Sequence, residues 1–283
     1  MTLPQVVELI REEGGLNLRA VGVFAGGEVG ASDVRGDDGS RYVLKWWDGE
    51  PDSGRRVAAL VERLRKRGYP IPRFVIADDI GGVTVMLQEY AEGTVSDKVS
   101  EHVVETLISL NALQSEAAEV DEDSDWTAYI VGSLRYGCNG YCLHEPLRSY
   151  NQRTAALLKR IQSVGEGIVE LPTGDAVHVD FHHRNVLVAD GEVSAVIDWE
   201  GCRSGDSVFD LMTLAFGLTV AEVPTRARDR VEEEVRRRTT PEARQAYAAH
   251  MALRQVDWSI RHRTPADVDH WLNVASEKLD TSF

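Results

Sequence analysis

Asp180, Asn185 and Asp198 are the residues on which a chemistry can be built, Asn185 standing five positions after Asp180 and Asp198 thirteen after Asn185. The chain between the last two reads Val186-Leu187-Val188-Ala189, then Asp190-Gly191, then Glu192-Val193-Ser194-Ala195-Val196-Ile197. Asp-Gly between apolar runs is a strong two-residue hairpin signal. With Ala189 paired to Glu192, register counting sets Asp198 opposite His183 and on the same face as its diagonal neighbour Asn185, at roughly 5 to 8 Å. An amide and a carboxylate in one space are hard oxygen ligands suited to Mg²⁺, which leaves its other positions to water and phosphate oxygens. Asp180 sits in a loop ahead of the hairpin, too early to be a third strand ligand. Its expected part is to accept or orient a hydroxyl proton, so the order Asp, Asn, Asp predicts metal-assisted phosphoryl transfer. A lone loop Asp is more often a turn former, and His178 more often a hydrogen-bonded structural residue. The combined spacing outweighs those readings.

The elements that must position these residues are legible on both sides. Pro4 to Glu13 has the apolar spacing of a short amphipathic helix. Leu18 to Phe24, Val29 to Val34 and Tyr42 to Trp47 read as an antiparallel meander, with Gly26 and Gly27 in a glycine-rich first turn. Such a turn can close over phosphates with its N–H groups, although a plain hairpin turn fits it equally well. Lys45 lies in a strand of large apolar neighbours, where a lysine is costly to bury unpaired. A helix from Gly54 to Arg67 is stopped by Pro70 and Pro72, and strands follow at Arg73 to Ala77 and Val83 to Glu89. Later stretches, Ser100 to Ala117, Leu147 to Val164, Val223 to Arg238, Pro241 to Arg263 and Pro265 to Leu279, read as helices. Asp210, between Phe209 and Leu211, reads as a helix cap or buried scaffold.

His178-x-Asp180-x-His182-x-x-Asn185 followed by Ile197-Asp198-Trp199-Glu200 resembles the aminoglycoside phosphotransferase family of small-molecule kinases. The resemblance implies an α+β, bilobal protein-kinase-like fold: an N-lobe over residues 1–91 with an antiparallel sheet, and a mainly helical C-lobe over 92–283. It implies ATP or GTP with Mg²⁺, Asp180 as base, and Asn185 and Asp198 as metal ligands. It also implies that Gly26 and Gly27 lie over the nucleotide, that Lys45 is on its α- and β-phosphates, and that backbone groups of Gln88, Glu89 and Tyr90 face its purine. The acid expected to pair with Lys45 on the next helix is Glu62, because Arg55 and Arg56 occupy the positions nearer the helix start. The family commonly has Gly, Pro and Gly where this chain has Val179, His183 and Arg184, departures that bear on the acceptor side and offer Arg184 as a phosphate contact.

Composition narrows the partners. The 283 residues, 43% hydrophobic, suffice for a substantial core, and no apolar run reaches the roughly 18 residues of a membrane span. Met1-Thr2-Leu3-Pro4 opens without a signal-like apolar region, so the cytoplasm is expected. Cys138, Cys142 and Cys202 lack paired zinc spacing and read as free thiols. A net charge of −15 disfavours a nucleic-acid partner and favours a cationic one. Glu116 to Asp125 adds six acidic residues and no basic one, a run that is either a solvated turn or a cleft wall. With the resemblance, these features point to a polycationic antibiotic acceptor, an aminoglycoside or a basic cyclic peptide such as capreomycin or viomycin. Glu200, Asp121, Asp123 and Asp125 are the candidate carboxylates for it. No obligate protein partner is evident. A kinase of a metabolic alcohol, a nucleotide-binding regulatory pseudokinase and a metal-dependent hydrolase built on His178, Asp180, His182 and His183 are the alternatives; the last leaves Asn185 unexplained.

Overall fold

A computed structural model describes residues 1–24, 30–49, 52–118, 125–138 and 140–280. The chain divides into two compact units, Met1–Val95 with Asn185–Cys202, and Ser96–Arg184 with Arg203–Phe283. In chain order the elements are α1 (Leu3–Gly14), β1 (Leu18–Phe24), β2 (Ala31–Gly36), β3 (Arg41–Trp47), α2 (Ser53–Lys66), β4 (Phe74–Ile80) and β5 (Val83–Glu89). There follow α3 (Glu101–Ala112), α4 (Trp126–Tyr136), α5 (His144–Tyr150), α6 (Gln152–Gly167), β6 (Asp175–Val177), β7 (Val186–Ala189), β8 (Glu192–Val196) and β9 (Arg203–Gly205). Helices α7 (Val208–Gly217), α8 (Thr225–Arg238), α9 (Pro241–His262) and α10 (Pro265–Asp280) close the chain.

In the first unit an antiparallel sheet runs in the order β1-β2-β3-β5-β4. Val34, Leu44, Val85 and Leu87 point to one face and are fully buried against Val6 and Ile10 of α1. Each such side chain stabilises the unit by about 1.5 to 3 kcal/mol. Side chains alternate along a strand, so the burial of Leu44 turns its neighbour Lys45 to the opposite face. Helix α2 buries Val57, Leu60, Val61 and Leu64, the i, i+3, i+4, i+7 stripe of an amphipathic helix. It ends where Gly68 turns left-handed at φ 86 and Tyr69 N–H returns to Leu64 O at 3.1 Å, a closure that suits glycine.

The β7–β8 hairpin groups with this first unit, a correction to the division by sequence at Ala91. Val196 N–H donates to Pro70 O (2.8 Å), Ser194 Oγ to Glu92 O (2.6 Å), and Thr94 and Val188 exchange N–H bonds of 2.9 and 3.0 Å. Trp199, just beyond the hairpin, meets the Tyr69 ring edge-on at 5.3 Å.

The second unit is mostly helical. Every residue of α7 from Val208 to Phe216 is buried, and α9 buries Ala246, Tyr247, Ala249, His250, Met251, Leu253 and Val256. Phe209 stands edge-on to Trp126 (5.3 Å), Tyr247 (5.6 Å) and His250 (5.1 Å), an aromatic centre for the core. The helix expected over Ser100 to Ala117 stops at Ala112, and the one expected over Leu147 to Val164 is two helices. Asn151 separates them: its side chain accepts Thr154 N–H at 3.0 Å and its own N–H donates to Thr154 Oγ1 at 3.1 Å, a reciprocal cap that starts α6. No helix among the described residues is long and apolar enough to cross a membrane.

Candidate active site

Lys45 is the cation of the first unit's polar cluster. Its Nζ donates to Asp198 Oδ1 and lies 2.6 Å from Glu200 Oε1, with its side chain only 14% exposed. Burial opposes the charge on this lysine, but Glu200 and Asp198 together hold its ammonium above the ordinary value. Burial likewise pushes the Glu200 carboxyl up to about 7 against the attraction of Lys45, with repulsion from Asp198 adding to the rise. Two carboxylates thus share one lysine, leaving the cluster biased towards negative charge. The expected Lys45–Glu62 pair is not formed. Glu62 is half exposed and pairs with Arg65 one helical turn on, at 3.1 Å. Glu200, expected on the acceptor side, is committed to Lys45 instead.

The hairpin positions Asp198 differently from simple counting. Ala189 does pair with Glu192, and Val188 with Val193, but Leu187 pairs with Ala195, so Ser194 is an extra, bulged residue. The slip of one sets Asn185 opposite Ile197, whose N–H donates to Asn185 O at 2.9 Å, and removes the predicted pairing of Asp198 with His183. Asp198 then leaves the pleat in a left-handed conformation, φ 75. A short 3-10 turn, Trp199–Gly201, follows, and buried Trp199 pins it by donating its indole N–H to Val196 O at 3.0 Å. Asn185 ends another such turn, His183–Asn185, and is itself buried.

The segment from Gln88 to Tyr90 closes β5. Glu89 N–H donates to Arg73 O (2.9 Å) and Tyr90 N–H to Arg41 O (3.0 Å). The Glu89 carboxylate meets Arg73 at 2.6 Å, and the Arg41 guanidinium lies 3.7 Å over the Tyr90 ring while pairing with Asp33 at 2.8 Å. Gly26, Gly27, Asp121 and Asp123 lie outside the described residues. Asp125 is exposed and caps α4, accepting Ala128 N–H at 2.8 Å.

In the second unit Asp180 sits half-buried on the loop that follows β6. Arg254 of α9 donates through Nη2 to Asp180 Oδ1 (2.8 Å) and through Nη1 to Val179 O (2.9 Å). His182 Nε2 approaches the same carboxylate oxygen at 3.4 Å, and Asp180 N–H donates to His178 Nδ1 at 3.2 Å. Burial alone would raise the Asp180 carboxyl, but Arg254, His182 and His178 hold it well below the usual carboxylate range. Asp180 is therefore charged at neutral pH.

Asp210 scaffolds this loop. Fully buried, it accepts His178 N–H (2.7 Å), Val179 N–H (2.9 Å) and Gln114 Nε2 (2.6 Å). Val179 consequently holds φ 74, a left-handed backbone that a β-branched residue adopts only under constraint. Arg184, considered for a phosphate, pairs with Asp97 at 3.0 Å, and His183 Nε2 reaches the same oxygen at 3.4 Å. Among the described residues no three His, Cys, Asp or Glu side chains come together to hold a metal, so the histidine-rich stretch does not form the ligand set a hydrolase would need. Arg254 carried no signal in the sequence beyond being one arginine in a helix rich in them.

Comparison with known proteins identifies the family. The model of the Phosphotransferase enzyme family (APH) matches residues 25–260. No curated protein gives a significant match. Among solved structures, aminoglycoside phosphotransferase APH(4)-Ia superposes with a TM-score of 0.67 at 18% identity, covering 99% of both chains. Spectinomycin phosphotransferase APH(9)-Ia, in complex with ADP and spectinomycin, gives 0.62 at 14% identity over 100% of this chain and 98% of that one. Macrolide 2'-phosphotransferase MphH from Brachybacterium faecium gives 0.55 at 18% identity over 99% of both. The fold is that of the protein-kinase-like antibiotic phosphotransferases, and with its family's model matched from residue 25 to residue 260, the chain belongs to the phosphotransferase enzyme family.

Proposed function

We propose that this protein moves the γ-phosphoryl group of a nucleoside triphosphate to a hydroxyl of a hydroxyl-bearing antibiotic. The observation that carries the reading is the pairing of Lys45 with Asp198, a phosphate-type cation and a metal-type carboxylate gathered in one half-buried cluster. Support also comes from the spectinomycin phosphotransferase, which holds ADP with its antibiotic.

Asn185 and Asp198 fit Mg²⁺: their oxygens are hard donors, and Glu200 and Asp198 leave the lysine's surroundings with surplus negative charge for a divalent ion to balance. When bound, the ion supplies charge neutralisation on the phosphates. The chain's own groups do the rest. Lys45 binds phosphate oxygens in place of Asp198 while Glu200 keeps hold of it. Asp180, charged and fixed, orients the acceptor hydroxyl and takes its proton. In such a loose transition state positioning matters more than early proton removal, which suits a carboxylate of low basicity. Because the N–H groups of Glu89 and Tyr90 are already donated, the purine is met by other groups of the Gln88–Gly93 segment.

A cationic acceptor is favoured by the net charge of −15. Since Asp180 is already paired with Arg254, its amines would lie away from the reacting hydroxyl. A kinase of a neutral alcohol is the second reading, favoured by the loss of Glu200 to Lys45. Nucleotide consumption measured with aminoglycosides, basic cyclic peptides, macrolides and neutral metabolic alcohols separates the two. Turnover with an amine-bearing antibiotic supports the first; turnover only with neutral or anionic alcohols supports the second; none with any hydroxyl compound defeats both.

A further inference from the structure

The loop that carries Asp180 is gripped from two sides by residues far apart in sequence. On its N–H side Asp210 accepts from His178 and Val179 at 2.7 and 2.9 Å. On its carbonyl side one guanidinium, that of Arg254, reaches both Val179 O at 2.9 Å and Asp180 Oδ1 at 2.8 Å. A planar fork that meets a peptide oxygen and the next residue's carboxylate fixes the angle between them, which a point-like ammonium cannot do. The base of the fork is rigid, because Leu253 and Val256 on either side of Arg254 in α9 are fully buried. The left-handed Val179 peptide lies between the two grips, so its strained shape is stabilised from outside.

We propose that Arg254 is a positioning residue of the phosphotransfer, setting the direction of the Asp180 carboxylate. The inference rests on Asp180 acting on the acceptor hydroxyl. The groups facing this carboxylate are Arg254 from α9, His182 and His178 from its own loop, and Asp210 from α7, which adds a like charge when ionised. Without Arg254, burial and Asp210 oppose the charge and only the histidines favour it.

The test compares kcat, KM and pH profile for the full chain and its Arg254→Met, Arg254→Lys and Asp180→Ala variants, with the best acceptor from the screen. Arg254→Met is expected to lower kcat by at least about tenfold, since small displacements of a reacting group cost factors of this size or more. Its nucleotide KM should stay within about twofold, and its activity should fall between pH 7 and pH 5 more steeply than that of the parent. Arg254→Lys should keep the parent's pH profile with an intermediate kcat. In the Asp180→Ala background, Arg254→Met should have no further effect. Parent-like kcat and pH profile in Arg254→Met overturn the proposal, as does a loss of kcat matched by an equal rise in nucleotide KM. Should the methionine variant not fold, a parent-like kcat in Arg254→Lys overturns it and the intermediate kcat supports it. Undiminished transfer by Asp180→Ala would instead bring down the assignment of the base, a result distinct from any of these.

Discussion

Glu200 Oε1 lies 2.6 Å from Lys45 Nζ, and the carboxylate expected from helix α2 is not part of the pair. Glu200→Gln should therefore raise the KM for nucleotide by roughly 10- to 100-fold, as loss of a charge-assisted bond costs about 1.5 to 3 kcal/mol. Glu62→Ala should change it less than about twofold. Steady-state kinetics on both variants decide the matter: equal effects, or a larger one at Glu62, would return the role to α2.

Asp198→Ala should abolish the Mg²⁺-dependent part of nucleotide binding. Calorimetric titration with and without the ion checks this, and an unchanged difference between the two titrations would remove Asp198 from the ligand set.

Asp210→Asn keeps shape but replaces one acceptor oxygen with an N–H₂ group that must face a backbone N–H or Gln114. An unsatisfied buried donor costs about 1 to 3 kcal/mol, so denaturant unfolding should show a loss of that size. A variant as stable as the parent would mean that the buried carboxyl, pushed up to about 7 by its burial, is not held by these bonds.

His250 is fully buried beside Arg254 and Arg203, and burial with those charges drives its imidazole down to about 3. Below pH 6.5 the unfolded chain binds a proton here that the folded chain refuses, so stability is greatest above that pH and falls on acidification. At pH 5 the deficit is about 2 kcal/mol relative to neutral pH. His250→Phe, which the aromatic neighbours Phe209 and Tyr129 can accommodate, should flatten the stability profile between pH 7 and 5. His144, also lowered by burial, leaves a residual slope in the variant. A profile as steep as the parent's would show that His250 is not the source.

If the acceptor is cationic, long-range attraction steers it, and its KM should climb as added salt shortens the Debye length from about 30 Å at 0.01 M to about 8 Å at 0.15 M. An acceptor KM indifferent to salt would favour the neutral-alcohol reading.

What the sequence disclosed follows from how local each signal is. The hairpin was legible because Asp190-Gly191 between apolar runs is a short-range instruction, and the pairing of Lys45 because a lysine among large apolar strand neighbours is costly to bury alone. The bulge at Ser194 was not, since counting from a turn assumes one residue opposite one. Glu200 was misplaced for a related reason: the departure of Asp198 from the pleat depends on Trp199 packing against Tyr69, more than a hundred residues earlier in the chain. Arg254 was invisible because its partner lies 74 residues away. The two-helix break at Asn151 depended on a reciprocal cap with Thr154, a polar signal weaker than the apolar spacing that ran through it.

Since residues 185–202 complete the unit begun by residues 1–95, the polypeptide passes between the units at three points. A fragment truncated at Val95 would expose Tyr69, lose the acceptor of its Thr94 N–H and lack both carboxylates of its lysine. The first unit is therefore not obtainable as an N-terminal truncation. Thr94 lies beside Val188, however, so a short turn-forming linker from Val95 to Asn185 would splice the two pieces into one continuous minidomain; residues 96–184 are topologically an insertion within it, and residues 203–283 follow it.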